Sequence, residues 1–383
     1  MEKFNKVENI KIPYGRQDIS QNDINAVIEV LRSDWITQGP TISHFEHAVA
    51  KYCGSQYSVA VCNATAALHL ACRAIGLSVG DRLWTSPNTF VASANCGLYC
   101  GAEVDFVDID PKTYNICIDA LSSKLEQAEK LGKLPKILIP VHFAGQSCEM
   151  AEIAKLSKKY GFYVIEDASH AIGGEYKGKK IGSCIYSDMT VFSFHPVKII
   201  TTGEGGMVVT NKQELYERIV LLRTHGIVRK PNQGAWYYQQ VDLGYNYRMT
   251  DIQAALGLSQ MKRLYSFISQ RHELAQSYNE NLQDLPLQLP WQHPDSYSAW
   301  HLYIIRLNKR HQVFDSLREA GIGVNVHYIP VHTQPYYLQM GFKFGDFPNA
   351  EAFYDEAISL PIYPLLTDAQ QQKVITDLQK ALL

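Results

Sequence analysis

Short apolar runs alternate along the first two thirds of the chain with longer stretches in which apolar positions recur every three or four residues. The short runs read as strands of a mostly parallel sheet and the longer stretches as the helices on its faces. Seven runs qualify as strands: "YSVAVC", "RLWTS", "EVDFVDI", "KILIPVHF", "FYVIED", "MTVFSF" and "GMVVT". Ser20 and Asp23, in capping-box spacing, open a helix with Ile24, Val27, Ile28 and Leu31 on one face. The lead-in "WITQGP" is too rich in turn residues to be a strand. A second box, Thr250 with Gln253, starts a helix that the pattern carries to about residue 282, long enough to link two units. After "LPLQLP" the pattern changes to a strand "LYIIRL", a helix around "VFDSLREAG", a strand "GVNVHYI" and a closing helix "DAQQQKVITDLQKAL". The expectation is an α/β chain with a large unit over 10–265 and a smaller α+β unit over 266–383. No internal repeat or low-complexity tract interrupts it.

Composition narrows the partners. With 383 residues, 46% hydrophobic content, 19% charged content and a formal charge of −2, the chain is an ordinary globular protein without the basic footprint of a nucleic-acid binder. No apolar stretch has the length to cross a bilayer, and "MEKFNKVENIKIPYGRQ" has no apolar core of the secretory kind, which argues for the cytoplasm. The eight cysteines form no CxxC pair and sit mostly in apolar runs, so neither a disulfide framework nor a zinc site is expected.

In a parallel sheet, ligands bind beyond the carboxyl ends of the strands. After "YSVAVC" comes "NATAALHLA", a small-residue turn opening a helix, where the N–H groups of Ala64, Thr65 and Ala66 could hold an anion; taken alone, the segment reads as a plain turn capped by Asn63 or Thr65. The spacing fits neither a P-loop nor a dinucleotide fingerprint. After "FYVIED" comes Asp167, which is either a turn cap or a carboxylate with a cationic partner, and His170 follows three residues on. Lys198 follows "MTVFSF" and, taken alone, reads as a surface lysine.

Taken together, an anion pocket, an acid and a lysine at three strand ends match the phosphate, ring nitrogen and aldehyde of pyridoxal 5′-phosphate. A Schiff base needs an amine that is unprotonated near neutrality, which a partly desolvated lysine supplies. The ring draws electrons only while its nitrogen is protonated, and a carboxylate holds that proton. Phe90 in "SPNTFVASAN" then offers a face to the ring, where otherwise it would be core. Ser193 becomes a phosphate hydroxyl, and the glycines of "TTGEGG" become backbone that bends closely around the cofactor.

Six motifs in order, "WITQGP", "NATAALHLA", "SPNTFVASAN", "VIEDASHAIGG", "FSFHPVKIITTGEGG" and "LGYNYRMTDIQAALGLSQ", resemble those of the DegT/DnrJ/EryC1/StrS sugar-nucleotide aminotransferases over nearly the whole chain. One departure is Ala64, where the family often has glycine. The resemblance implies fold type I of the pyridoxal-phosphate enzymes and a homodimer whose two sites borrow residues from each other. It implies that Lys198 forms the Schiff base, Asp167 meets the ring nitrogen, Phe90 stacks on the ring and His170 lies beside it. Ser193, Thr65 and Ala66 would hold the phosphate, with Asn246 reaching it from the partner chain.

Within the family, "SFHPVK", "RTHGIVRK", "LGYNYRMTD" and "GIGVNVHYIPVH" are most similar to the branch acting in pseudaminic-acid biosynthesis. That implies transfer of an amino group from L-glutamate, by way of pyridoxamine phosphate, to C4 of a UDP-linked 4-keto-6-deoxy-2-acetamido hexose. Thr37 of "WITQGP", His327 and Tyr328 are the candidate sugar contacts. Relatives acting on other nucleotide-linked 4-keto sugars share most of these words. Sugar dehydratases of the same fold carry histidine at the lysine position, against Lys198 here, and a non-catalytic cofactor-binding regulator would be expected to bring a DNA-binding module and a basic face.

Overall fold

In the computed structural model, which describes residues 11–383, all seven apolar runs become strands of one sheet. They are β1 (Tyr57–Val61), β2 (Arg82–Thr85), β3 (Glu103–Phe106), β4 (Ile137–Ile139), β5 (Tyr163–Asp167), β6 (Met189–Ser193) and β7 (Gly206–Thr210). Position 10, the expected start of the larger unit, and most of the leading segment lie outside the described residues. The strand order is β1-β7-β6-β5-β4-β2-β3. Every pairing is parallel except the two made by β7, which runs antiparallel between β1 and β6. Its first residue, Gly206, therefore stands opposite Val61 and Ser193, the last residues of its neighbours. One edge of the sheet collects the ends of six strands and the start of the seventh. Both faces are covered by helices, so the strands are mostly buried and read as predominantly apolar runs.

Around the sheet lie α1 (Gln21–Arg32), α2 (Pro40–Cys53), α3 (Ala64–Ile75), α4 (Ala92–Tyr99), α5 (Ile118–Lys130), α6 (Met150–Tyr160) and α7 (Gln213–Arg223). The Ser20–Asp23 box opens α1 as expected. Its apolar face is not covered, however: Ile24, Ile28 and Leu31 are exposed, while Asp23 and Val30 are the buried residues. The Thr250–Gln253 box also holds, but the long helix expected behind it is two, α8 (Asp251–Met261) and α9 (Leu264–Leu282). The break falls at Arg263, whose guanidinium is drawn back onto α1, 2.6 Å from Asp23 Oδ2 and 2.8 Å from the Asp18 carbonyl. A long-range ion pair thus sits at the break in a helix that the sequence pattern would have continued.

Beyond α9 a second core gathers Tyr278, Tyr303, Ile305, Ile322, Leu360 and Val374. Residues Tyr303–Arg306 pair antiparallel with Ala357–Leu360, the latter a strand that the pattern did not reveal. The helix Arg310–Glu319 and the closing helix Asp368–Leu382 pack on it, and Ile12–Pro13 from the start of the chain pairs with Ile322–Gly323. The strand expected over "GVNVHYI" does not form beyond Gly323; Asn325 makes one bridge to Ser359 and the chain then turns toward the sheet edge. Among the described residues no helix is long and apolar enough to cross a membrane.

One contact ties α8 to the loop before α2. Gly39 occupies the N-cap of α2 and has no side chain to cap it. Asp251, fully buried, supplies the acceptor: Oδ2 takes the Gly39 N–H at 2.7 Å and Oδ1 the Thr41 N–H at 2.9 Å. A Cβ on Gly39 would stand 2.5 Å from Trp35 Cβ, so only glycine fits. Asp251→Ala removes two charge-assisted bonds and should cost about 2–4 kcal/mol, read as a lower urea midpoint. A midpoint equal to that of the parent protein would refute the capping role.

Candidate active site

A cavity of about 560 Å³ opens at the edge where the strands end. Its wall is built from the segments that follow the strands: Asn63, Ala64 and Thr65 after β1, Thr89 and Phe90 after β2, Val141 after β4, Asp167, Ser169 and His170 from β5 onward, and Ser193 and Lys198 from β6 onward. Tyr14 and the turn Asn325–Tyr328 add to the wall, and Leu68, Ala92, His195, Val197 and Glu204 also line it. That turn is the segment expected as a strand, and leaving the sheet is what brings His327 and Tyr328 to the site.

Lys198 sits in a turn in which its N–H donates to the His195 carbonyl at 2.9 Å. Burial brings its ammonium down to about 8, against an opposing pull from the Asp167 carboxylate. At pH 7 roughly a tenth of it is the neutral amine, against roughly one part in three thousand for an ordinary lysine. Asp167, the last residue of β5, is gripped on both oxygens. Ser93 Oγ donates to Oδ2 at 2.6 Å, and Ser169 donates to Oδ1 from its N–H at 3.1 Å and its hydroxyl at 2.6 Å.

The opposite wall is aromatic and uncharged. His170 Nε2 lies 3.1 Å from the Tyr328 hydroxyl, and the His170 ring packs 4.4 Å from that of His301 behind it. Burial, reinforced by the charge of Lys198, holds His170 and His301 well below the usual imidazole range and takes His327 to about 3. His327 Nδ1 is 2.8 Å from Ser359 Oγ. His170 Nδ1 is buried without a partner.

The other candidates divide. Asn63 is the N-cap of α3 and its side chain accepts the Ala66 N–H at 2.8 Å, so Ala64 and Thr65 line the cavity while Ala66 does not. Phe90 is 59% exposed at the cavity mouth rather than packed in the core. Gly206 is glycine for a reason other than flexibility: a Cβ there would stand 2.6 Å from the Asn63 carbonyl, so its absence lets β7 close against the start of α3. Asn246 and Thr37 are exposed and line no part of their own chain's cavity; Asn246 bridges Thr224, and Thr37 bridges Thr250.

These residues fit the expected cofactor. A partly deprotonated amine, a hydrogen-bonded carboxylate, a helix N-terminus, an uncovered aromatic face and an imidazole with an orphaned nitrogen share one cavity of ligand size.

The profile described as the DegT/DnrJ/EryC1/StrS aminotransferase family matches residues 17–379. The chain belongs to this family. Spore coat polysaccharide biosynthesis protein SpsC of Bacillus subtilis is 41% identical over 95% of both chains. The UDP-4-amino-4,6-dideoxy-N-acetyl-beta-L-altrosamine transaminase of Campylobacter jejuni is 40% identical over 92% of both chains. Among solved structures, Helicobacter pylori PseC, an aminotransferase of pseudaminic-acid biosynthesis, superposes with a TM-score of 0.90 at 34% identity, covering 97% of this chain and 99% of its own. Spr1654 of Streptococcus pneumoniae in its PLP form gives 0.88 at 30% identity, covering 97% and 100%. The sheet described above is accordingly that of the fold type I aminotransferases.

Residue reading missed Ser93, Ser169, His301 and Tyr14. The first two carried a signal: Ser169 follows Asp167 at the spacing of a turn that folds back on its own carboxylate, and Ser93 lies one helical turn beyond Phe90. His301 and Tyr14 come from distant segments and carried none.

The depressed Lys198 value is testable without any ligand. In competitive labelling with acetic anhydride, quantified peptide by peptide, Lys198 should reach half its full reactivity near pH 8, because only the deprotonated amine reacts, while surface lysines are still rising near pH 10. A Lys198 midpoint near 10 would overturn the desolvated-amine account.

Proposed function

We propose that this chain is a pyridoxal-phosphate-dependent aminotransferase that moves an amino group from L-glutamate to C4 of a UDP-linked 4-keto-6-deoxy-2-acetamido hexose, working in the cytoplasm as a homodimer. The observation carrying this reading is the convergence of Lys198, Asp167 and the start of α3 on one cavity. The Campylobacter relative and the PseC structure support the substrate class.

When bound, the cofactor supplies an electron sink and carries the amino group between the two substrates. The side chains do the rest. Lys198 Nζ takes the proton from the α-carbon of the amino donor and, in the second half-reaction, returns one to C4 of the sugar. Asp167 keeps a proton on the ring nitrogen. The N–H groups of Ala64 and Thr65 and the Ser193 hydroxyl hold the phosphate at the positive end of α3, Ala66 contributing by completing the first turn. Phe90 covers one ring face, His170 lies beside it, and His327 and Tyr328 face the sugar. Asn246 reaches the phosphate of the other subunit, and Thr37, also outside its own cavity, approaches the sugar from the same side. The uncovered run Ile24, Ile28, Leu31, Trp35 and Ile36 supports a second copy at this face. The reading retains a division into 10–265 and 266–383.

Incubating the purified protein with candidate UDP-4-keto sugars and L-glutamate should give a 4-amino sugar and 2-oxoglutarate, identified by mass spectrometry and NMR, and Lys198→Ala should abolish turnover. Another nucleotide-linked 4-keto sugar is the second reading, and a product only from such a sugar would replace the first. Near-native turnover by Lys198→Ala would end both.

Shared sites are tested by mixing lesions. Asn246→Asp sets a carboxylate against the phosphate and should nearly inactivate its homodimer. Co-expressed with Lys198→Ala and paired at random, half the dimers are mixed and each holds one intact site, so roughly a quarter of parental activity should return. Activity no higher than the two backgrounds, in a preparation whose mass shows mixed dimers, would place Asn246 in its own chain's site.

A further inference from the structure

Asp167 is nearly saturated before any ligand arrives. Oδ1 accepts two hydrogen bonds from Ser169, and Oδ2 accepts one from Ser93. A carboxylate offers about four lone-pair sites, two per oxygen, so the one remaining belongs to Oδ2.

Ser93 is fully buried in the first turn of α4 and does not itself line the cavity. Its oxygen lies 2.6 Å from Asp167 Oδ2, 2.7 Å from Thr89 Oγ1 and 3.4 Å from the Phe90 carbonyl. A serine has one proton, and an ionised carboxylate can only accept, so the short contact to Oδ2 takes it. Ser93 must then accept from Thr89. The order of donation runs from Thr89 to Ser93 to Asp167, and it spans the segment that carries Phe90.

We infer that Ser93 is a positioning residue for the ring-nitrogen contact: it fixes Oδ2 as the oxygen that meets the ring, with Thr89 setting the direction of its hydroxyl and Ser169 turning Oδ1 away. The inference rests on the assignment of Asp167 to the ring nitrogen. It has a consequence for Asp167→Asn. The Ser169 backbone N–H cannot reverse, so the asparagine must keep its oxygen at the Oδ1 place and set its NH₂ at the Oδ2 place. An N–H then faces the ring, which suits only an unprotonated ring nitrogen.

The test reads the ring nitrogen directly, by ¹⁵N NMR of the enzyme loaded with ¹⁵N-labelled pyridoxal phosphate, with cofactor affinity measured by equilibrium dialysis. The parent protein should keep the nitrogen protonated from about pH 6 to about pH 9, and Asp167→Asn should show it unprotonated throughout. Ser93→Ala should bring the deprotonation midpoint into that range and slow the half-reaction with L-glutamate about tenfold, the loss expected for one hydrogen bond to a charged group. Ser93→Thr, which keeps the hydroxyl, should restore both readouts, and Thr89→Val should shift them in the same direction by less. If Asp167→Asn changes the signal while Ser93→Ala and Thr89→Val match the parent, Ser93 has no positioning role and the Asp167 assignment stands. If Asp167→Asn leaves the nitrogen protonated, the assignment falls and the inference with it. Should Ser93→Ala fail to fold or to bind the cofactor, Thr89→Val decides alone.

Discussion

A lysine in water is a cation near neutral pH, and the proposed chemistry depends on making Lys198 an amine without making it inert. Desolvation does the first, lowering the ammonium to about 8, and the Asp167 carboxylate limits the shift by favouring the charged form. The two groups must therefore share a pocket dry enough for burial to act and charged enough to stop it going further. Neighbouring cations would upset the balance. Burial keeps His170, His301 and His327 neutral, so the aromatic wall adds shape and hydrogen-bonding capacity without adding positive charge.

The sheet makes such a pocket possible because the strand ends that carry Asp167 and precede Lys198 belong to adjacent parallel strands, β5 and β6. Reversing β7 lets its start, rather than its end, meet the same edge, and the missing side chain of Gly206 allows that start to close on Asn63. The N-terminus of α3 is thereby held beside the lysine and the acid. A positive helix end, an amine and a carboxylate are brought together by strand direction and by the missing side chain of Gly206.

Support for this edge comes from groups far from it in sequence. Asp251 caps α2 across about 210 residues of chain, and Arg263, between α8 and α9, pairs with Asp23. Both contacts tie the α8 region to the first 41 residues, the part of the chain that also presents the uncovered apolar face of α1. In both a buried carboxylate depends on its partner, since removing that partner leaves an unsatisfied charge. Here they fix how the helices around the sheet meet.

Much of this protein was legible in its sequence. Strands buried on both faces are apolar at most positions, so β1 to β7 stand out without any knowledge of their neighbours. Residues at their ends are placed by the same rule, which is why Lys198, Asp167, Thr65, Phe90 and Ser193 could be named in advance and do line or border one cavity. Helix starts at Ser20 and Thr250 were equally local, because a capping box is satisfied within four residues. Tertiary structure decided what local pattern leaves undetermined. It broke the α8–α9 helix at Arg263, which pairs with α1, and it turned the β-branched run at Val324 and Val326 out of the sheet to deliver His327 and Tyr328. It also gave the Ala66 N–H to Asn63, set Ser93 and Ser169 on the two oxygens of Asp167, and left Asn246 and Thr37 outside their own chain's cavity. Periodicity reports which face of an element is dry, whereas a hydrogen-bond partner or a helix end depends on groups hundreds of residues away that only the folded chain brings within 3 Å.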